Sequence, residues 1–376
     1  MTAKKIVHIT TVHHPLDPRI MLKECQSLAD AGYDVTLIAK KYNDVPNNVS
    51  GVNYIGLRSA KRRFISMFLT PIQAYLTAKK MKADIYHFHD PEFLPFAKFL
   101  KKPSNKVVYD IHEDYETGIV TREYFTYPIR KMMSFLYKRI ENWAVKGMEI
   151  VLAEKYYQEK YPDGTQILNY PRIENADSPR TPRDFANNHE LLYTGNITED
   201  RGAFQHALLP IHLEGIDVTM VGKCPAHLYK AMKDAAGSFS DHLTVVGVDR
   251  FIPKGEIDEY YLADRWIAGV ALFPDSDHYR RKELTKFFEY MYHGLPVVCS
   301  NFPEWKAFMH KYNCGLTVDP DSPEQIKEAV NYLRDNPEEA REMGENGFTA
   351  VLETLNWRVQ AEKLIALYEN RKKGTG

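Results

Sequence analysis

Short runs of β-branched and apolar residues alternate with longer stretches of helical period from end to end of the chain, the pattern of parallel sheets built from βαβ units. The first half offers KKIVHIT, DVTLIA, VNYIGL, DIYHF, KVVYDI, EIVLA and TQIL as strands, and the second ELLYT, DVTMV, LTVV, AGVALF, LPVVC and GLTV. Between them, residues 169–190 are rich in Pro, Asn and charge and lack an apolar period, which reads as a linker. The 376 residues are two to three times the usual domain of roughly 100–200. We therefore expect an α/β protein of two similar doubly wound domains facing a central cleft, over 1–170 and 190–354, joined by a linker at 171–189. A terminal helix at about 355–376, with Trp357, Ala361, Leu364, Ile365 and Leu367 on one broad apolar face, is expected to pack back on the first domain. In that first domain Asp17 and Pro18 open a helix on which Leu22, Cys25 and Leu28 recur, and Gly32 stands where its C-terminal cap belongs.

Apolar residues at 44% and charged residues at 26% exclude disordered, collagen-like and disulfide-scaffold classes. The 49 basic and 50 acidic side chains give nothing that draws the whole chain to nucleic acid. The halves differ, however: residues 1–170 hold 25 basic and 18 acidic groups (+7), the remainder 24 and 32 (−8). Cys25, Cys224, Cys299 and Cys314 form no C-x-x-C pair, so neither a disulfide framework nor a zinc site is suggested, and a reducing cytoplasm fits. The opening apolar run is too short for a signal peptide and reads as a first strand. No window reaches about 18 apolar residues, so any membrane contact is expected to be peripheral.

Open α/β sheets bind ligands beyond the carboxyl ends of their strands, which directs attention to polar residues there. In the first half these are His13 and His14 after the opening strand, His89 and Asp90 after DIYHF, and His112 after KVVYDI. In the second half, YTGNITEDRG sets Gly195 directly after a strand and Arg201 before a helix, a geometry that lets backbone N–H groups approach a phosphate. Neither half carries G-x-G-x-x-G after a strand, which disfavours a nicotinamide enzyme. In LFPDSDHYRRKELTKFFEYMYHG a helix is expected from about Leu284 to Tyr292, with Thr285 and Lys286 at its amino end. Exposed N–H groups, the helix dipole and an ammonium together favour a diphosphate there. Glu289, three residues beyond Lys286, can accept from a ribose diol; the plain alternative is an exposed Lys286–Glu289 surface pair.

These segments carry a resemblance. ITTVHHPLDPRIMLKECQSLADAGYDVTLIA, DIYHFHDPEFLP, VVYDIHEDY, YTGNITEDRG, VGKCP and above all LTKFFEYMYHGLPVV make the chain similar to the retaining GT-B glycosyltransferases of family 4, in the branch found in bacterial capsule and exopolysaccharide clusters. The resemblance implies GT-B architecture with two Rossmann-like domains. It also implies transfer of a sugar from a nucleotide diphosphate donor, uridine before guanosine, with no metal and no other cofactor. Carried over by position, it makes Glu289 the second glutamate of the E-x7-E motif and the ribose ligand, and sets Leu284, Thr285 and Lys286 at the diphosphate. Arg201 matches the basic residue of the R-x4-K phosphate pair, with Asn196 standing where the pair's arginine usually is. Gly195 marks the turn, Gly222 and Lys223 line the donor site, and Val246 and Gly247 line the nucleobase slot. Arg281 replaces the first glutamate of the motif, and Glu283 stands two positions out of register. His112 is the histidine near the reacting sugar, and His13, His14, Arg19, His89 and Asp90 are assigned to the acceptor.

The implied mechanism is same-face attack, with His112, Arg201 and Lys286 as the catalytic set and the departing phosphate taking the acceptor's proton. Asp275 and Asp277 spell D-x-D, which we read as a loop cap or sugar contact rather than a metal site. Segments 61–82 and 128–146 are basic and amphipathic, which suits either an anionic leaflet carrying a lipid-linked acceptor or simple coverage of the sheet, the reading favoured for 128–146. The alternatives are a sugar-nucleotide epimerase of the same fold, which would convert donor without acceptor, and a non-catalytic nucleotide- or partner-binding paralogue.

Overall fold

The computed structural model describes residues 3–58, 63–112, 127–173 and 183–370. Two compact units divide the chain, Met1–Arg172 with Trp357–Gly376, and Ile173–Asn356. In the first unit the strands are β1 (Lys5–Ile9), β2 (Asp34–Lys40), β3 (Asn48–Val49), β4 (Val52–Leu57), β5 (Ile85–Phe88), β6 (Lys106–Ile111), β7 (Glu149–Leu152) and β8 (Thr165–Gln166). They lie in the order β3-β4-β2-β1-β5-β6-β7-β8, parallel throughout except for β3, a two-residue addition antiparallel to β4. The second unit has β9 (Glu190–Thr194), β10 (Asp217–Cys224), β11 (Leu243–Val248), β12 (Trp266–Ala271), β13 (Val297–Ser300) and β14 (Gly315–Val318), in the order β11-β10-β9-β12-β13-β14. Both sheets are doubly wound. The order reverses between β1 and β5 in one and between β9 and β12 in the other, the switch points where such sheets bind ligands.

Strands buried on both faces read as continuous apolar runs, and all six residues of β12 are buried. Helices cover both faces of the first sheet. On one side Ala74 and Ala78, from the helix Arg63–Met81, join Leu94, Ala97 and Ala144; on the other Ile20, Cys25 and Leu28 meet Trp357, Leu364 and Tyr368 of the terminal helix Trp357–Glu369. Among the hydrogen bonds that fix that helix, Trp357 Nε1 donates to Ser27 Oγ at 2.8 Å, and Tyr368 Oη lies 2.6 Å from His87 Nδ1.

The helix after β1 differs from its expectation. Asp17 caps it, accepting from the N–H groups of Arg19 and Ile20 at 2.9 and 3.0 Å. Its first eight residues, Pro18–Cys25, however, wind as a π-helix before the α-helical turn Gln26–Asp30. With hydrogen bonds spaced i to i+5, the buried stripe changes phase. Ile20, Met21, Cys25 and Leu28 are buried, while Leu22, expected inward, is 42% exposed. Residues five apart, Arg19 and Glu24, now face the same interior point, with Arg19 Nε 3.1 Å from Glu24 Oε1.

The linker read at 171–189 is shorter on its far side, its middle (174–182) lying outside the described residues. Phe185 is buried, Asn188 Nδ2 donates to the Trp266 carbonyl at 2.9 Å, and Arg183 donates to the carbonyls of His293 and Ala263, both at 2.7 Å. A guanidinium fork satisfying chain-end carbonyls leaves no apolar period to read in the sequence.

Gly202 sits in the left-handed region (φ 77°) between the turn Glu199–Arg201 and the helix Ala203–Ala207, and a Cβ there would lie 1.9 Å from the Leu272 carbonyl oxygen. Gly202→Ala is expected to cost about 3 kcal/mol or more, through φ strain plus a backbone clash that no rotamer relieves. Urea denaturation checks this; a loss under about 1 kcal/mol would show that the turn adapts.

Candidate functional site

The site in the second unit lies at its switch point. β9 ends in Gly195, whose N–H donates to the Val221 carbonyl of β10 at 2.9 Å. Three glycines from adjacent strands are stacked there. A Cβ on Gly222 would lie 1.9 Å from the Gly195 oxygen, and one on Gly247 would lie 2.4 Å from the Gly222 oxygen. Side-chain-free backbone at three adjacent strand ends is what close approach by a bulky ligand requires. Val246 precedes Gly247 on β11, and Lys223 and Asn196 are exposed at the same strand ends.

Lys286 is the second residue of the helix Thr285–Tyr292, which has no side-chain cap and no acidic residue in its first turn. Its ammonium points into the protein rather than to solvent, 3.6 Å from the centroid of the Tyr193 ring and 4.8 Å from that of Phe273. It would stand 3.8 Å from a Cβ on Gly195. Lys286 is 7% exposed, and Nζ makes no hydrogen bond among the described residues. Burial drives its pKa well below the ordinary lysine value; the nearby Arg201 charge adds to this, and Glu289 opposes it only in part. Arg201 Nε donates to Tyr279 Oη at 3.1 Å, and Tyr279 in turn donates to Asp200 at 2.8 Å. Lys286 and Arg201 thus repel one another beside a glycine-lined strand end and an uncapped helix start. An anion there would relieve both.

The exposed Lys286–Glu289 pair is excluded by the burial of Lys286. Glu289 is half-buried and accepts from Tyr261 Oη at 2.7 Å through Oε2, while Oε1 has no hydrogen-bond partner among the described residues. Burial raises its pKa, opposed first by the Tyr261 hydrogen bond. Tyr261 is also 2.8 Å from Thr194 Oγ1 at the end of β9, so the carboxylate is oriented from the switch point. Arg281, Glu283 and Leu284 lie on the partly buried segment leading into the helix, with Thr285 exposed at its start. Asp275 pairs with Arg280, and Ser276 caps the short helix Asp277–Arg280, so the D-x-D belongs to loop structure.

In the first unit the predicted residues converge beyond β1, β5 and β6, although several are deeper than expected. Arg19 is 5% exposed and holds Asp110 through two contacts of 3.0 Å. Asp90 is buried and accepts from Thr10 Oγ1 at 2.8 Å and from the Thr11 N–H, fixing the loop after β1. His89 is buried, 3.2 Å from His112 Nε2 and 3.1 Å from His8 Nδ1, and burial lowers its pKa to about 4. Arg19, His89 and Asp90 therefore shape this site from beneath instead of facing an acceptor. His112 reaches the surface of the cluster, its Nε2 2.7 Å from Asp110 Oδ2, and the partly exposed His13 ring lies 5.3 Å away. His14 turns aside, against the Tyr42 ring at 4.2 Å.

Sequence reasoning missed Asp110, Glu24, His8 and His87 here and Tyr193, Tyr261 and Tyr279 in the second unit. A signal existed for two of them. Asp110 precedes His112, and His87 precedes His89, by two residues at a strand end, the spacing that puts both on one sheet face. Burial favours neutral Asp110, yet the Arg19 and His112 charges and hydrogen bonds hold its carboxyl well below the usual range.

Residues 18–157 match the family model "Glycosyltransferase Family 4", and residues 240–350 match "Glycosyl transferases group 1". Together with two doubly wound sheets, these matches define the protein as a glycosyltransferase of GT-B architecture. Several solved structures share its fold, among them the following. A glycosyltransferase from Rickettsia africae is 13% identical, with TM-score 0.72 over 98% of each chain. Sucrose-phosphate synthase from Thermosynechococcus elongatus is 16% identical, with TM-score 0.69 over 97% of this chain and 98% of its own. HepE from Anabaena in complex with UDP is 11% identical, with TM-score 0.69 over 97% of this chain and 99% of its own, and a UDP-glucose complex of HepE is similar too. No curated protein sequence gives a significant match.

Proposed function

We propose that this glycosyltransferase moves a sugar from a UDP-sugar to a saccharide or lipid-linked saccharide acceptor with retention of configuration, in the synthesis of a cell-surface polysaccharide. One observation carries the reading: a buried ammonium with no hydrogen bond among the described residues, set beside Arg201, three stacked glycines and an open helix start. Such an arrangement suits an anion, and the HepE complexes with UDP and UDP-glucose make a nucleotide diphosphate sugar the first candidate. Lys286, Arg201 and the helix dipole would stabilise charge on the leaving diphosphate, with no metal at the phosphates. Glu289 Oε1 would accept from the ribose. The diphosphate oxygen would take the acceptor hydroxyl's proton as that hydroxyl bonds to the anomeric carbon. His112, held by Asp110, would orient the reacting sugar rather than act as base.

A thermal-shift and product-release screen across UDP-, GDP- and other nucleotide diphosphate sugars tests the reading, because a ligand bound only to the folded state raises its stability. UDP-sugars should stabilise the protein and release UDP in the presence of acceptor. Donor conversion without acceptor would favour the epimerase, and failure of every nucleotide to stabilise would end the proposal.

We place the protein in the cytoplasm at the inner face of the membrane. No helix among the described residues is long and apolar enough to cross a bilayer, so contact would be peripheral. The helix Tyr127–Ala144 supports this more strongly than its sequence did. Rather than only covering the sheet, it leaves Ile129, Met132, Phe135, Leu136, Ile140 and Trp143 between 41% and 57% exposed, beside Lys131, Lys138 and Arg139. Apolar groups among basic ones suit an anionic leaflet. Binding to phosphatidylglycerol liposomes is expected, falling steeply with salt, and about tenfold weaker in Phe135→Asp. Equal sedimentation with neutral and anionic liposomes would refute it.

A further inference from the structure

The first unit holds a second constellation, beneath His112 and separate from the sugar-nucleotide residues. Glu24 from the π-helix, His87 and His89 from the end of β5, and Asp110 from β6 each present one donor atom, all four within 4.8 Å of one another and all fully buried or nearly so. His8 of β1 borders them. Most of the gaps around Glu24 and His87 are wider than a hydrogen bond, while Asp110 Oδ2 comes within reach of His89 Nδ1. Glu24 Oε2 stands 3.9 Å from His87 Nε2, 3.9 Å from His89 Nε2 and 3.7 Å from His8 Nδ1. Asp110 Oδ2 stands 3.4 Å from His89 Nδ1 and 3.9 Å from His87 Nε2. Neither Glu24 oxygen nor His87 Nε2 makes a hydrogen bond among the described residues, although each is buried and faces the same point.

We propose that Glu24, His87, His89 and Asp110 bind one divalent transition-metal ion of the zinc class, as a structural centre of the first unit. Donors held about 2.0–2.2 Å from a tetrahedral ion lie roughly 3.3–3.6 Å apart, so gaps of up to 4.8 Å close with side-chain shifts on the order of an ångström. Two imidazoles and two carboxylates suit zinc and its neighbours rather than calcium or magnesium. The outer contacts are those a metal site needs. Tyr368 Oη holds His87 Nδ1 at 2.6 Å, which turns Nε2 inward, and Arg19 braces Asp110 through both carboxylate oxygens. Charge points the same way. Two carboxylates face the single guanidinium of Arg19, which engages Glu24 through Oε1 and leaves Oε2 to the ion. The site joins the strand ends to Tyr368, so the ion would also anchor the terminal helix. It is independent of the donor reading, because its test needs neither nucleotide nor acceptor.

The test uses the tag-free full-length protein, stripped with chelator, dialysed against Zn²⁺ and then against metal-free buffer. Elemental analysis should find about one zinc per chain, and Zn²⁺ should raise the melting temperature of the stripped protein. Co²⁺ in its place should give the intense visible bands of a four-coordinate centre. Glu24→Gln and His87→Gln should each lose most of the bound metal. His189→Ala should keep it, since His189, Glu190 and Asp217 form a second, exposed group of potential ligands in the other unit. Wild-type protein that holds no metal, or metal that disappears in His189→Ala, overturns the proposal. Should either cluster variant fail to fold, the wild-type cobalt spectrum decides alone, its visible bands supporting the site and their absence removing it.

Discussion

Lys286→Met is expected to slow sugar transfer by about 10²–10³-fold while raising the thermal stability of the unliganded protein. The two effects share one cause. The ammonium is packed on Tyr193 and Phe273, hydrogen-bonds nothing among the described residues, and is repelled by Arg201, so the folded protein without ligand carries a desolvation penalty that methionine removes at nearly constant volume. The same group becomes favourable only when negative charge arrives, as on a leaving diphosphate. The pH dependence has a definite sign. The folded-state pKa lies below the unfolded value of 10.5, so between the two the unfolded chain binds more protons, and stability rises with pH. Below the folded pKa the penalty is complete; above about 10.5 it vanishes. The stability gap between Lys286→Met and wild type should therefore be widest at neutral and acid pH and close as pH rises through that window. Nucleotide diphosphate binding should take up protons in the same window, giving calorimetric enthalpies that depend on the buffer's ionisation heat. Unchanged transfer in the variant, or a lowered melting temperature, would show that Lys286 is a packing residue.

The sheet order was legible because parallel strands buried on both faces leave unmistakable apolar runs, and each of the thirteen expected runs became a strand. The local positions of Gly195, Gly222 and Gly247 could be read as well, but not their stacking, which depends on β9, β10 and β11 being neighbours. Depth was the harder property. The placement of Lys286 at a helix start was legible, but not its burial, since lysines are usually exposed and the Tyr193 and Phe273 rings that cover its ammonium come from distant segments. The interior of the first unit was hidden by helix winding. On an α-helical wheel Arg19 and Glu24 diverge, and the i to i+5 bonding of Pro18–Cys25 brings them together over Asp110. No periodicity in PRIMLKEC announces a π-helix, since the same residues cap and propagate an α-helix equally well.

That buried arrangement separates two residues that a simple activity assay would confuse. Asp110→Ala is expected to cost about 3–5 kcal/mol of stability, because it removes both 3.0 Å contacts from a guanidinium that is 5% exposed and leaves Glu24 as its remaining anion. His112→Ala leaves the Arg19–Asp110 contacts in place and removes only a neighbour of that pair, His112 Nε2 standing 2.7 Å from Asp110 Oδ2 and 3.2 Å from Arg19 Nε. Its ring is at the edge of the cluster, so its removal should cost about 1–2 kcal/mol, less than Asp110→Ala, while lowering transfer about 10²-fold or more and leaving nucleotide affinity intact. Asp110 Oδ2 at 2.7 Å and Arg19 Nε at 3.2 Å both meet His112 Nε2, so the carboxylate and the guanidinium together orient the ring. Asp110→Asn should therefore fall between the two. Its amide can still accept from Arg19 through one oxygen, but that oxygen cannot hold both the guanidinium and the His112 ring as the two carboxylate oxygens do, so transfer should drop further than stability does. Urea denaturation of chelator-treated protein isolates the charge pair from any bound ion, and parallel transfer assays give the second axis. If His112→Ala unfolds as readily as Asp110→Ala, the histidine is part of the scaffold; if it also transfers sugar at the wild-type rate, it has no part in the chemistry.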